Sequence, residues 1–337
     1  MLIVMNKESS GQEIDAVLDK VRDAGVECFV SRGEFHTVIG VVGDPERLVD
    51  VPIGAMAGVE RVQRVTKPFK VVSHEGHPGT STINVGNAEI GPSTFTLIAG
   101  PCAVESEEQT VACAFAAQEA GARILRGGAY KPRTSPYSFQ GLEDDGLRIL
   151  DIARKETGMP VVTEVMDVRD VEKVAAVADM LQIGTRNMQN FPLLREVGST
   201  GKPIMLKRGM NATIEEWLMA AEHIARQGNL QIVLCERGIR TFETATRNTL
   251  DISAVPVVRE ESHLPIIIDP SHAAGRRSLV APLSRAAVSV GADGVMIDVH
   301  VEPEKALTDG PQALIPSELM VLSKELQTLS EFAGRTY

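Results

Sequence analysis

The amino-acid sequence predicts an α/β chain in which a (β/α)8 barrel follows a small ferredoxin-like α+β domain. Three observations carry that reading. From residue 96 onward, eight short, nearly continuous apolar runs alternate with longer amphipathic segments over about 240 residues, the length and rhythm of such a barrel. The first 65 residues alternate in the order βαββαβ instead. Between the two, "TKPFKVVSHEGHPGTS" is rich in Gly, Pro and Ser and lacks helical periodicity. Residues 1–66 are therefore expected as the small domain, 67–82 as a linker and 83–337 as the barrel.

In the small domain, "LIVM", "VECFV", "HTVIGVVG" and "VERVQRV" read as strands, and "QEIDAVLDKVRDAG" and "PERLVDVPIGAMAG" as helices. Gly-Asn between two alternating runs in "STINVGNAEIG" predicts a short hairpin. The barrel strands are "TLIAGPC", "RILRGG", "PVVTEV", "MLQIG", "PIMLKRG", "QIVLCERG", "PIIIDPSH" and "GVMIDVH". Segments such as "SEEQTVACAFAAQEAG", "TIEEWLMAAEHIARQG" and "LVAPLSRAAVSVG" supply the helices between them. A doubly wound sheet is the alternative, but neither GxGxxG nor GxxxxGK[ST] occurs, so nothing supports a nucleotide-binding turn.

With 337 residues, 43% of them hydrophobic and 23% charged, the chain can bury one large core or two smaller ones. No stretch approaches the roughly 18 apolar residues of a membrane span, and no cleavable signal pattern appears, so a cytoplasmic location is expected. Cys28, Cys102, Cys113 and Cys235 lie far apart without a CxxC pair, which argues against a disulfide framework or a zinc finger. A net charge of -11 argues against nucleic acid as the main partner.

Against that acidity stands "RGGAYKPRTSPYSFQGL", residues 126–142, where Arg126, Lys131 and Arg133 crowd onto a loop stiffened by Pro132 and Pro136. Active sites of (β/α)8 barrels form at the C-terminal ends of the strands. Read that way, Arg126, Lys131, Arg133, Arg186, Lys207, Arg208 and Arg237 gather on one face with Glu164, Glu236 and Asp269. Such a cluster of cations predicts a multiply anionic substrate, because guanidinium forks suit carboxylate and phosphate oxygens and lysine adds a movable charge or proton. A second constellation, Cys102, His272, Asp298 and Asp309, converges from the first, seventh and eighth strands, which are neighbours in a closed barrel. A thiolate, an imidazole and carboxylates suit a divalent transition ion better than magnesium. Each residue also has a plain structural reading, Cys102 as a small buried apolar group and His272 as a satisfied polar one, and no local spacing ties the four together. Cys113 and Trp217 read as core, and His36, His74, His77, His223 and His263 have no partner that the pattern supplies.

The stretches "AGPCAVES", "RGGAYKPRTSPYSFQG", "QIGTRNMQN", "LKRG", "LCERGIRTFETATRNTLD", "DPSHAAGRR" and "EPEKALTDG" resemble 3-deoxy-D-arabino-heptulosonate 7-phosphate (DAHP) synthase of the first, microbial type, across nearly the whole barrel. The resemblance extends to residues 1–65, since one subgroup carries a ferredoxin-like N-terminal regulatory domain. The related octulosonate 8-phosphate synthases share the barrel and the phosphoenolpyruvate site, but their corresponding loop is expected to lack "KPRTS".

The resemblance implies condensation of phosphoenolpyruvate with erythrose 4-phosphate, releasing phosphate, at the start of the route to aromatic amino acids. By similarity, Arg126, Lys131 and Lys207 face the carboxylate side of phosphoenolpyruvate, Arg186 and Arg237 its phosphate, and Arg133 with Thr134 the sugar phosphate. Lys131, Glu164 and Lys207 form the catalytic group, with Glu164 and Lys207 the candidates for proton transfers. A divalent transition ion such as manganese, iron or zinc is expected on Cys102, His272, Asp298 and Asp309. Here the sequence departs from the family, which places glutamate where "MIDVH" gives Asp298; His300, two residues on, could assist. The expected partners are small phosphorylated substrates, an aromatic amino acid effector acting through the small domain, and further copies of the chain in a homo-tetramer, with no nucleic acid and no membrane. The competing readings are octulosonate synthase activity with arabinose 5-phosphate and a non-catalytic barrel that senses metabolites.

Overall fold

The computed structural model describes residues 1–337 except 34, 35, 44, 49, 64–67 and 75. In the small domain, strands β1 (Leu2–Met5), β2 (Glu27–Arg32), β3 (Thr37–Val42) and β4 (Val59–Gln63) form an antiparallel sheet in the order β2-β3-β1-β4. The helix Gly11–Asp23 starts at a capping box in which the Ser10 hydroxyl accepts from the Glu13 amide and the Glu13 carboxylate accepts from the Ser10 amide. Its buried Ile14, Val17 and Val21 face Ile3, Met5, Ile39 and Val41 of the sheet. The expected second helix over 45–58 is a correction. The described residues there form two 3-10 turns, Pro45–Leu48 and Ile53–Ala55. Pro52 removes a backbone donor from the middle of the segment, and Gly58 at φ 79° ends it. The expected domain boundary at residue 66 lies outside the described residues.

A hairpin of β5 (Ile83–Val85) and β6 (Ala88–Ile90) follows, turning at Gly86 with φ 58°. Eight parallel strands then close a barrel: β7 (Thr96–Gly100), β8 (Ile124–Arg126), β9 (Val161–Glu164), β10 (Met180–Ile183), β11 (Ile204–Lys207), β12 (Ile232–Glu236), β13 (Ile266–Ile268) and β14 (Gly294–Asp298), with β14 paired to β7. Alternate residues face inward. Ile98, Ile124, Val162, Met180, Met205, Val233, Ile267 and Met296 fill the barrel interior, and the hairpin's Ile83, Val85 and Ile90 join that cluster and close its lower end. Outward residues such as Leu97, Leu125, Leu206 and Leu234 meet the helices in a separate core. Trp217, on the helix Ile214–Ala225, is fully buried there and donates its indole N–H to the Leu206 carbonyl at 3.1 Å. The core readings of Trp217 and Cys113 therefore hold.

The described residues between 68 and 81 are tied to the barrel. Glu222 accepts from the amides of Val71 and Val72, and Ser262 and His263 reach the carbonyls of Val72 and Val71. His263 is stacked on His77 with ring centres 4.1 Å apart, and its Nδ1 lies 2.7 Å from the Ser81 hydroxyl. Partners thus exist for histidines whose pattern supplied none. His36 approaches Glu60 at 3.5 Å, and His223 lies 4.4 Å from the Phe191 ring.

Candidate active site

The inward register that fills the barrel also builds its mouth. Two residues beyond Ile124, Val162, Met180, Met205, Ile267 and Met296 stand Arg126, Glu164, Gln182, Lys207, Asp269 and Asp298, on the same inner face and above the apolar layer. Of these, Arg126, Glu164, Gln182 and Lys207 border a cavity of about 470 Å³ that is also lined by Lys131, Arg133, Thr134, Arg186, Arg237, Arg240, Arg247, His272 and Asp309. All seven expected substrate-binding residues therefore meet in one place. A larger groove of about 870 Å³ lies between the helices Arg277–Val290 and Pro316–Phe332, but Ala281, Val321 and Leu322 line it and no catalytic cluster faces it.

The expected cation Arg208 is a correction. The alternation that turns Lys207 inward turns its neighbour outward, where the Arg208 guanidinium meets Glu236 at 3.0 Å and Asp251 at 2.7 Å. It lies 5.9 Å from the Trp217 ring, away from the cavity. Sequence reading gave no role to Gln182, at a strand end, to Arg240 or Arg247, on irregular loops, or to Gln312, in the 3-10 turn Gly310–Gln312.

Lys207 and Asp269 pair at 2.6 Å, both buried. Burial disfavours the Lys207 cation, yet Asp269 holds its pKa above the ordinary value. Lys131 donates to the Cys102 carbonyl at 2.9 Å and to its sulfur at 3.1 Å. Glu164 accepts from the Gln182 amide at 3.1 Å, and its buried Oε1 has no partner. A Cβ at residue 184 would stand 1.9 Å from that Oε1, so Gly184 makes room for the carboxylate. Arg133 and Arg186 line the cavity with no carboxylate partner among the described residues.

Cys102, His272, Asp298 and Asp309 also come together, with one donor atom from each within 4.8 Å of the others. Cys102 Sγ lies 3.2 Å from Asp309 Oδ2 and 3.8 Å from His272 Nε2, which is 3.5 Å from Asp309 Oδ2. Asp269 holds the other ring nitrogen, Nδ1, at 2.8 Å, turning Nε2 toward the cluster. Burial opposes charge on His272, but Asp269 and Asp298 outweigh it and raise the imidazole to about 10. Burial alone would raise the Cys102 thiol, but Lys131 and His272 bring it below its usual range. A thiolate-prone sulfur, an oriented imidazole and carboxylates are the donor set of a borderline transition ion, so these residues fit one. His300 does not assist. Its Nε2 faces Glu105 at 3.5 Å and its Nδ1 accepts from the Glu302 amide.

Fold and mouth together define a (β/α)8-barrel enzyme whose cavity is built for anions. Residues 74–333 match the DAHP synthetase I family, and residues 1–67 match the DAHP synthase ferredoxin-like domain. The chain is 52% identical to a phospho-2-dehydro-3-deoxyheptonate aldolase of Thermotoga maritima, over 99% of both chains. The crystal structure of the T. maritima DAHP synthase superposes with a TM-score of 0.79 at 51% identity, covering 99% of this chain and 98% of that one. A 2-dehydro-3-deoxyphosphooctonate aldolase of Syntrophotalea carbinolica is 34% identical over 74% of this chain and 95% of its own. The chain belongs to the DAHP synthetase I family.

Proposed function

We propose that this enzyme condenses phosphoenolpyruvate with D-erythrose 4-phosphate and water to give DAHP and phosphate, the first step of the shikimate pathway, under feedback control through its N-terminal domain. The observation that carries the reading is the gathering of cations round one cavity: Arg126, Lys131 and Lys207 buried in the mouth, Arg186 and Arg237 just past the ends of β10 and β12, and Arg133 with Thr134 on the loop after β8. Three separate anionic groups, one carboxylate and two phosphates, suit those three positions. By neutralising them together, the mouth brings two mutually repelling reactants into one orientation.

In the reaction a bond forms between C3 of phosphoenolpyruvate and the aldehyde carbon. The oxygen of water adds at C2, and the C2–O bond to phosphate breaks. Glu164, whose Oε1 has no partner, and Lys207 are suited to the proton transfers, while Lys131 neutralises charge beside Cys102. A divalent transition ion held by residues among Cys102, His272, Asp298 and Asp309 would supply Lewis acidity to the aldehyde oxygen.

Octulosonate synthesis from arabinose 5-phosphate is the second reading, favoured by relatives such as the S. carbinolica protein. The whole-chain likeness to the heptonate enzyme and the loop "KPRTS" support erythrose 4-phosphate. We also propose a division into residues 1–66, a linker over 67–82 and a barrel over 83–337; the separate matches to residues 1–67 and 74–333 support two units. Mixing the protein with phosphoenolpyruvate and erythrose 4-phosphate should release phosphate, and chelation should abolish that release until manganese, zinc or iron is restored. No release under any of these conditions would refute the reading.

A further inference from the structure

We propose that Asp298 is a positioning residue that holds Arg126 in the mouth of the barrel, and that a divalent ion is held by Cys102, His272 and Asp309 without it. This rests on the metal-dependent reading above and narrows it. Ligand bonds of about 2.0 to 2.3 Å place neighbouring donors of a tetrahedral site roughly 3.3 to 3.8 Å apart. The separations among Cys102 Sγ, His272 Nε2 and Asp309 Oδ2 are 3.2, 3.5 and 3.8 Å, already close to that spacing.

Asp298 is placed differently. Its Oδ1 forms an ion pair with Arg126 Nη1 at 2.9 Å, without hydrogen-bond geometry, and its Oδ2 accepts from the Gln312 carboxamide at 2.6 Å. Its approach to His272 is 3.6 Å and is made to Nδ1, the nitrogen that Asp269 already holds, whereas Cys102 and Asp309 face Nε2. To ligate an ion with the others, Asp298 would have to leave a buried guanidinium with the Pro101 carbonyl but no counter-charge, or give up a buried carboxamide, and both losses are unfavourable.

The surroundings fix this arrangement. Gln312 cannot turn its carboxamide over freely, because Arg247 donates to its oxygen at 3.1 Å and so points its nitrogen at Asp298. The same Arg247 nitrogen holds Asp309 Oδ1 at 2.8 Å, leaving Oδ2 for the trio. The Asp298 backbone is held in turn, its amide donating to the Ser271 hydroxyl at 3.0 Å. Aspartate on a fixed strand therefore reaches Arg126 and Gln312. A side chain one methylene longer, about 1.5 Å, would be needed to pass them. Three protein donors leave an open coordination position, the pattern of catalytic sites as opposed to closed structural ones.

The test is cobalt binding to the full-length, metal-free protein, followed by calorimetry and by thiolate-to-cobalt charge-transfer absorption, with the KM for phosphoenolpyruvate measured in parallel. Asp298→Asn should bind one cobalt with less than about tenfold loss of affinity and an unchanged charge-transfer band, below the range typical even of outer partners of ligands. Its KM for phosphoenolpyruvate should rise, because Arg126 loses its anchor. Cys102→Ala should lose the band and more than about 100-fold in affinity. If Asp298→Asn fails to fold, Gln312→Ala removes the other partner of Asp298 and should bind cobalt no more weakly than the wild type. An Asp298→Asn protein that loses cobalt as completely as Cys102→Ala would overturn the proposal by making Asp298 a ligand. A wild-type protein that binds no cobalt would overturn the metal-dependent reading and the proposal together, which sets that failure apart from the first.

Discussion

Lys207 and Asp269 form a buried ion pair, Nζ to Oδ2 at 2.6 Å, at the base of the active-site mouth. The same carboxylate accepts from the His272 amide at 2.9 Å and holds the imidazole Nδ1. One side chain thus sets both the charge of a cavity-lining lysine and the direction in which His272 presents its other nitrogen.

Asp269→Asn should therefore separate two effects. Burial disfavours the Lys207 cation and the Asp269 carboxylate is the main group opposing it, so the pKa of Lys207 should fall from above its ordinary value. The alkaline limb of kcat/KM should move to lower pH, and unfolding by urea should show a loss of about 3 to 5 kcal/mol for a buried charge left without its partner. An alkaline limb that stays in place would remove Lys207 from the chemistry.

Arg133→Ala should raise the KM for the aldose phosphate far more than the KM for phosphoenolpyruvate. Arg133 lines the cavity on the outer loop and has no carboxylate partner among the described residues, so its loss leaves the deeper cations untouched. A charge-assisted phosphate contact is worth about 1.5 to 3 kcal/mol, which corresponds to roughly 10- to 150-fold in the one constant. Equal rises in both constants would contradict the assignment of the loop.

Much of this site was legible in the sequence because the barrel obeys a period of two. Once "PIMLKRG" is read as a strand with Met205 inward, Lys207 must face the mouth. The same count sends Arg208 outward to Glu236, a consequence that grouping all strand-end cations together overlooks. Gln312 and Arg247 were not legible, because they reach the site from a single 3-10 turn and an irregular loop, too short or irregular for a periodicity to relate residue number to direction. In the small domain, the apolar spacing of "PERLVDVPIGAMAG" suggests a helix, but the proline and glycines inside it decide the backbone.

Glu222→Ala should loosen the segment between the domains. Its carboxylate accepts from the Val71 amide at 3.0 Å and the Val72 amide at 3.1 Å, and the variant leaves those buried donors without partners. A loss of roughly 3 kcal/mol is expected for hydrogen bonds to a charged group. Amide exchange at Val71 and Val72 should accelerate, and inhibition by phenylalanine or tyrosine should weaken while uninhibited turnover persists. Unchanged exchange and inhibition would show that Glu222 couples nothing.

The stacked His77 and His263 should make stability depend on pH. Burial, reinforced by the neighbouring His77, lowers His263 to about 3, and burial lowers His77 as well. The unfolded chain, with histidines near 6.5, takes up protons first as pH falls. This contribution is therefore complete above about pH 6.5 and lost progressively toward pH 3, by at most about 1.4 kcal/mol per pH unit for each proton. Urea midpoints between pH 7 and pH 4.5 should fall less steeply for His263→Gln than for the wild type, and parallel curves would contradict the assignment.

The central claim, that this barrel joins phosphoenolpyruvate to a four-carbon aldose phosphate, is tested most directly by the initial rate of phosphate release with erythrose 4-phosphate and with arabinose 5-phosphate, together with the mass of each product. The account predicts a seven-carbon product and a kcat/KM for erythrose 4-phosphate on the order of 100-fold or more above that for arabinose 5-phosphate, the scale on which a site rejects a poorly fitting substrate. A preference for arabinose 5-phosphate with an eight-carbon product, or no phosphate released with either aldose, would contradict it.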